Sequence, residues 1–256
     1  MKRKILTAAL IALLLLMLCA FASAETVASG TCGADGGNLT WTLDGEGTLT
    51  ISGSGEMADY TSAAPAPWDA DKTSIAAVVI EDEVSSIGNR TFHSCSSLTG
   101  IVIGDSVTEI GDDAFVRCSS LADVSLPDSL TSIGAYAFSN CTGLTGISIP
   151  DSVATIGGGA FFNCTGLTGV DLPDSLTAIP GTLFNICTNL ASVTIPDGVT
   201  GIGIGAFNRC SALTSVTIPD SVTTIGASAF SECTGLKTVT FPASDMPETD
   251  ATAFNL

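Results

Sequence analysis

Phenylalanine recurs at a fixed step of 23 residues, at Phe92, Phe115, Phe138, Phe161, Phe184, Phe207 and Phe230. A cysteine follows each by three residues (Cys95, Cys118, Cys141, Cys164, Cys187, Cys210, Cys233), and a leucine follows each cysteine by three again (Leu98, Leu121, Leu144, Leu167, Leu190, Leu213, Leu236). One unit reads A-F-x-x-C-x-x-L-x-x-V-x-I-P-D-S-V-x-x-I-G. So short a unit, with about eight apolar positions, cannot bury its apolar face alone; successive units must stack and share one continuous core. The chain is therefore expected to be a solenoid. A weaker copy starts at Ile75, and the terminal copy, ending at Ala253-Phe254, is one residue out of step and lacks the cysteine. End units face water on one side, which is why capping copies degenerate.

Within each unit, segments such as Val193-Thr194-Ile195 and Val216-Thr217-Ile218 are short, β-branched and alternating. That pattern predicts one strand per coil, with the small residues outward. Pro127, Pro150, Pro173, Pro196, Pro219 and Pro242 follow these strands directly. Proline has no N–H and a fixed φ, so it ends ladder pairing and turns the chain. The Phe and Cys segments are too short for long helices. Ahead of the repeats, Leu39, Trp41 and Leu43 alternate, a glycine-containing turn follows, and Leu49 and Ile51 come next, which predicts a β-hairpin. Its expected task is to cover the open end of the stack, with Trp68 packed beneath the first coil. The expected fold is a mostly β repeat solenoid with one parallel strand per 23-residue coil, few or very short helices and a small N-terminal hairpin cap. Residues 25–74 are assigned to cap and linker and 75–256 to the solenoid.

The first 24 residues have a different character. Lys2-Arg3-Lys4 leads an apolar run from Ile5 to Leu18, and Ala22-Ser23-Ala24 precedes Glu25, the layout of a cleaved secretory signal peptide. Removing those three cations would deepen the formal net charge from −18 to −21. A surface so acidic lacks the Lys/Arg footprint that nucleic acid and anionic lipid require. No later stretch is long and apolar enough to span a bilayer.

The L-x-x-V-x-I-P core, the I-G pair and the A-F-x-x-C pair resemble the leucine-rich repeats of BspA-like bacterial surface proteins over about residues 75 to 254. The segment from Trp41 to Ile51 is similar to the leader that often precedes such repeats. Because that family includes adhesins, the resemblance implies a secreted or cell-surface binding module. Its partners would be proteins or glycans, such as host matrix or cell wall. The other expectation is a structural spacer, or a solenoid that self-associates through an incompletely covered end.

Three groups of residues are candidate sites. The cysteines form a column with spacing near 4.8 Å, pointing one way; this suits neither disulfides nor a converging zinc site, and predicts a buried ladder of small apolar thiols. Asp105, Asp128, Asp151, Asp174, Asp197 and Asp220 form an acidic column, usually followed by serine, which reads as turn chemistry. Calcium wants about six to eight oxygens, more than one Asp and one Ser per coil supply, so no metal or other cofactor is assigned. The strand positions facing outward are Asp123, Ser125, Ser148, Asp171, Ser192, Thr194, Ser215, Thr217, Thr238 and Thr240, with Val102 at the start. They form the candidate ligand face: small, hydroxyl-rich and suited to weak multivalent contact. The single histidine, His93, stands where other copies carry Val116, Ser139 and Phe162, and no nucleophile, base or phosphate loop accompanies it. The expectation is a protein that is not an enzyme.

Overall fold

The computed structural model describes residues 25–241 and 246–256. The first 24 residues, where a signal peptide is expected, and Pro242 lie outside these residues. Strands β1 (Thr26–Gly33), β2 (Gly36–Asp44) and β3 (Thr48–Gly53) open the chain. The hairpin β2/β3 is antiparallel, with Trp41 opposite Ile51 and Leu43 opposite Leu49, as the alternation predicts. β1 adds an outer antiparallel strand whose register shifts twice. On its other edge β3 pairs in parallel with β5 (Ala77–Ile80), which pairs with β7 (Gly100–Ile103). The cap is thus the first rung of the solenoid's own sheet.

Parallel pairing continues at Gly146–Ser148, Gly169–Asp171 and Ser192–Val193, and again at Ser215–Thr217 with Thr238–Thr240. Each pair is offset by one repeat, so Val170 lies beside Ile147 and Val193 beside Val170. Every coil also carries a second, shorter strand at its Ile-Gly corner. Beginning with β4 (Gly55–Glu56) and β6 (Val84–Ile87), it runs through Glu109–Ile110, Ser132–Ile133 and Thr155–Ile156. It resumes as a separate sheet from Ala178–Ile179 to Glu248–Thr249. The interruption has a chemical cause. Gly157 donates its N–H to Ile133 and Gly203 donates to Ile179 (both 2.8 Å), but Pro180 stands in that position and has no N–H to offer Ile156. Elsewhere the glycine is needed for closeness: a Cβ on Gly226 would sit 2.8 Å from the Ile204 nitrogen.

The third side of each coil holds the Phe and Cys segment, and it is built from turns. The Phe115 N–H donates forward to Ala137 of the next coil (2.7 Å), while Cys118 N–H closes a tight turn onto Phe115 O (3.1 Å). No described residue is helical, and none lies in a helix long and apolar enough to cross a membrane. Down the axis runs a stack of aromatic rings: Trp68, Phe92, Phe115, Phe138, Phe161, Phe184, Phe207, Phe230 and Phe254. Successive centroids are 5.0–5.8 Å apart and planes differ by 5–21°. Each Phe of the repeat is fully buried, and offset stacking adds to the free energy of burying its area. Trp68 does pack beneath the first coil, with its indole N–H donated to Thr91 O at 3.0 Å.

Candidate binding face

In a parallel strand whose Val and Ile point inward, the residues before and between them point outward. All ten candidate residues, from Asp123 to Thr240, are exposed and lie in two rows on the first ribbon. Register places Ser125 beside Ser148, Ser148 beside Asp171, Ser215 beside Thr238, and Thr217 beside Thr240. Gly146 and Gly169 leave the first row bare between Asp123 and Ser192. The rows also reach one coil further toward the cap than the sequence reading took them. Val79 lies opposite Val102 in the same register, and stepping back one repeat from Val102 would have found it.

The hydroxyls of this face differ from those of the threonines just ahead of the second-ribbon strands, although Thr155 and Thr224 within those strands also bond no described residue. Ahead of the strands Thr131 donates its hydroxyl to Thr108 O (2.9 Å), and Thr223 donates to Thr200 O (3.0 Å). Between the sides, Thr168 donates to Thr145 O (3.1 Å). Those threonines are used to hold one coil to the next. The hydroxyls of Ser125, Ser148, Ser192, Thr194, Ser215, Thr217, Thr238 and Thr240 make no hydrogen bond to any described residue.

The cysteine column is buried and unbridged at every described position. Each thiol from Cys118 to Cys233 donates to the carbonyl of the Phe one coil earlier, as Cys141 does to Phe115 O at 3.2 Å and Cys233 to Phe207 O at 3.0 Å. Burial pushes the Cys95 and Cys187 thiols up to about 12. It raises Cys118, Cys141 and Cys164 well above their ordinary value. Thiols held protonated this way are poor nucleophiles and poor metal ligands.

The acidic column sits in the corner turns. Pro127, Pro150, Pro173, Pro196 and Pro219 each accept the N–H three residues on, as Leu130 donates to Pro127 O at 3.1 Å, so Asp and Ser occupy the turn's centre. The serine completes the link: Ser129 Oγ donates to Val107 O (2.7 Å) and Ser221 Oγ donates to Val199 O (2.7 Å). Among the described residues no three His, Cys, Asp or Glu side chains gather as a metal-binding group. His93 Nδ1 lies 3.0 Å from the Ser94 hydroxyl, and burial followed by the Arg90 charge lowers its pKa.

A parallel coil with a Leu/Val/Ile interior, a turn-built third side and a 23-residue period defines a leucine-rich repeat β-solenoid. Residues 70–191 and 131–255 match the BspA type leucine rich repeat region, in six copies. The chain belongs to the BspA-type leucine-rich repeat family. Three solved structures share the fold. A leucine-rich repeat protein from Eubacterium ventriosum is 30% identical with a TM-score of 0.54, over 85% of this chain and 73% of that one. One from Bacteroides ovatus is 26% identical with a TM-score of 0.61, over 85% and 67%. One from T. pallidum is 25% identical with a TM-score of 0.54, over 78% and 88%. No curated protein matches the chain at a significant level.

Proposed function

We propose that this chain is an exported binding module, on the cell surface or outside the cell, that takes protein or glycan ligands on its first ribbon in an adhesin-like role. The observation that carries the reading is the contrast between hydroxyls. Thr108, Thr131, Thr200 and Thr223, just ahead of the second-ribbon strands, already bond the neighbouring coil, whereas the hydroxyls of the candidate face form two long exposed rows bonded to no described residue. A polar group held at the surface without an internal partner is available to a ligand, and its repetition along the axis supports avidity. The reading involves no catalysis and no cofactor. The division of the chain into an exported leader, a cap with linker and a solenoid belongs to the same proposal.

The test is a binding screen of residues 25–256 against matrix proteins, peptidoglycan and glycans, with light scattering on the same sample. Saturable binding by a monomer is expected. The double variant Thr194→Asp/Thr217→Asp, which alters only exposed positions, should weaken it on the order of tenfold. Self-association without any ligand would replace this reading with a structural spacer or self-assembling role.

A further inference from the structure

The first ribbon is not uniform along its length. At its cap-proximal end the outward row is Val79 and Val102, both half-buried, and only from Ser125 onward does it become polar. Here the face is hollowed into a groove of about 1080 Å³ that runs from Gly53 to Asp128. Val79, Gly100 and Val102 are the half-buried apolar residues that line it as a floor. Its rim carries six carboxylates, from Glu81, Asp82, Glu83, Asp105, Asp123 and Asp128, and no Lys, Arg or His lines it. The chain's ion pairs lie elsewhere, at Lys72 with Asp69, Arg90 with Asp113, and Arg209 with Glu232, so among the described residues nothing neutralises this rim.

The backbone ladder is also broken beneath the groove, as it is a second time between Ser192–Val193 and Ser215–Thr217. β5 and β7 are joined by a full parallel ladder, but no backbone hydrogen bond among the described residues joins β7 to the next coil at 122–126. Thr99 N–H donates to Ala76 O (2.9 Å) and Thr145 N–H to Ala122 O (3.2 Å), yet the equivalent bond from Ala122 to Thr99 is missing. Pairing resumes only at the single bridge between Ser125 and Ser148. The groove therefore straddles an interruption in the sheet.

An extended peptide uses the features found together here: backbone groups outside a ladder, an apolar floor for alternate side chains, and a rim of opposite charge for the others. We infer that this groove takes an extended basic segment of a protein partner, in which apolar residues alternate with Lys or Arg. The inference rests on the reading of the first ribbon as a binding surface, and it names the partner class and places it at the cap-proximal end. A neutral or acidic glycan brings no counter-charge to the rim carboxylates.

The experiment is a fluorescence-anisotropy titration of the full chain with a labelled peptide of alternating lysine and valine, at about 0.15 M salt so that long-range attraction is screened. Saturable binding is expected. A lysine–serine peptide of the same charge should bind about tenfold more weakly for want of the apolar floor contacts. The variant Glu81→Gln/Asp105→Asn/Asp128→Asn should lose about tenfold, the sum of three exposed ion pairs. Asp174→Asn/Asp197→Asn/Asp220→Asn removes as much charge from distal coils and should stay within about twofold. Circular dichroism on each variant confirms that the fold is retained. Equal binding of both lysine peptides, or equal losses from both triple variants, would reduce the effect to general attraction and overturn the inference. A chain that binds a ligand through Thr194 and Thr217 but ignores the lysine–valine peptide overturns this inference alone. One that binds nothing in either assay overturns the parent reading as well.

Discussion

Ile186 occupies a backbone conformation that suits it badly. Each coil twice turns through positive φ, first at Arg90, Asp113, Tyr136, Gly159, Thr182, Gly205 and Ser228, then at Ser94, Arg117, Asn140, Asn163, Ile186, Arg209 and Glu232, with φ between 54° and 66°. These left-handed residues let the third side turn back on itself while its alternate N–H groups reach the next coil. Glycine and asparagine tolerate the region; a β-branched side chain is strained there. Asn163 Nδ2 already donates to Asn140 Oδ1 at 2.8 Å, and Ile186 is the next residue in that column. Ile186→Asn is expected to raise stability by about 1 kcal/mol, read as a higher urea midpoint at unchanged slope. A lower midpoint would mean that the packing of the half-buried isoleucine outweighs the strain. Little of this was legible in the sequence, because Arg, Tyr and Glu carry no signal of a left-handed turn. Most inward residues were legible, since a fixed period marks which side chains must meet, although Val193 and Val239 are only half-buried and Val116, a variable position of the repeat, is buried.

Among the elements, the cap shows where sequence reading succeeds and where it stops. The β2/β3 hairpin was legible because Leu39, Trp41, Leu43, Leu49 and Ile51 alternate and all are buried. β1 was not: its sequence, TVASGTCG, is exposed along most of its length and buries only Cys32 and Gly33, so no apolar period marks it. The strands at the Ile-Gly corners span mostly two residues, too few for any periodicity to register. Trp68 is the side chain that binds cap to repeats. It lies edge-on to Trp41 at 5.6 Å and to Tyr60 at 6.1 Å, and stacks on Phe92 at 5.8 Å. Trp68→Ala should cost about 3–5 kcal/mol. Because coupling in a stack passes only between neighbours, the loss should appear as faster hydrogen exchange in β2, β3 and β5 while amides near Val216 stay protected. Uniform loss of protection along the whole chain would contradict that localisation.

At the scale of the whole molecule the buried thiols give stability a pH dependence of definite sign. An unfolded cysteine ionises near its ordinary value of 9.0, whereas folded Cys95 and Cys187 hold their protons up to about 12. The folded state binds more protons between those limits, so stability is intact below about pH 9 and falls as pH rises through that window. Each such thiol contributes a slope of about 1.4 kcal/mol per pH unit. Melting temperature should therefore drop steeply above about pH 9, and Cys141→Ala/Cys164→Ala/Cys187→Ala should flatten the fall. An unchanged slope in that variant would assign the alkaline lability to other groups. A further consequence follows from the way the coils are joined. The forward bonds of the third side and the backward bonds of the ribbons link each unit to the adjacent one and to nothing beyond it. Recombination that duplicates or deletes a whole unit leaves both ends of the molecule unaltered. Length is then a heritable variable, adjustable by about 4.8 Å per unit, and each step adds or removes one rank of surface residues with it.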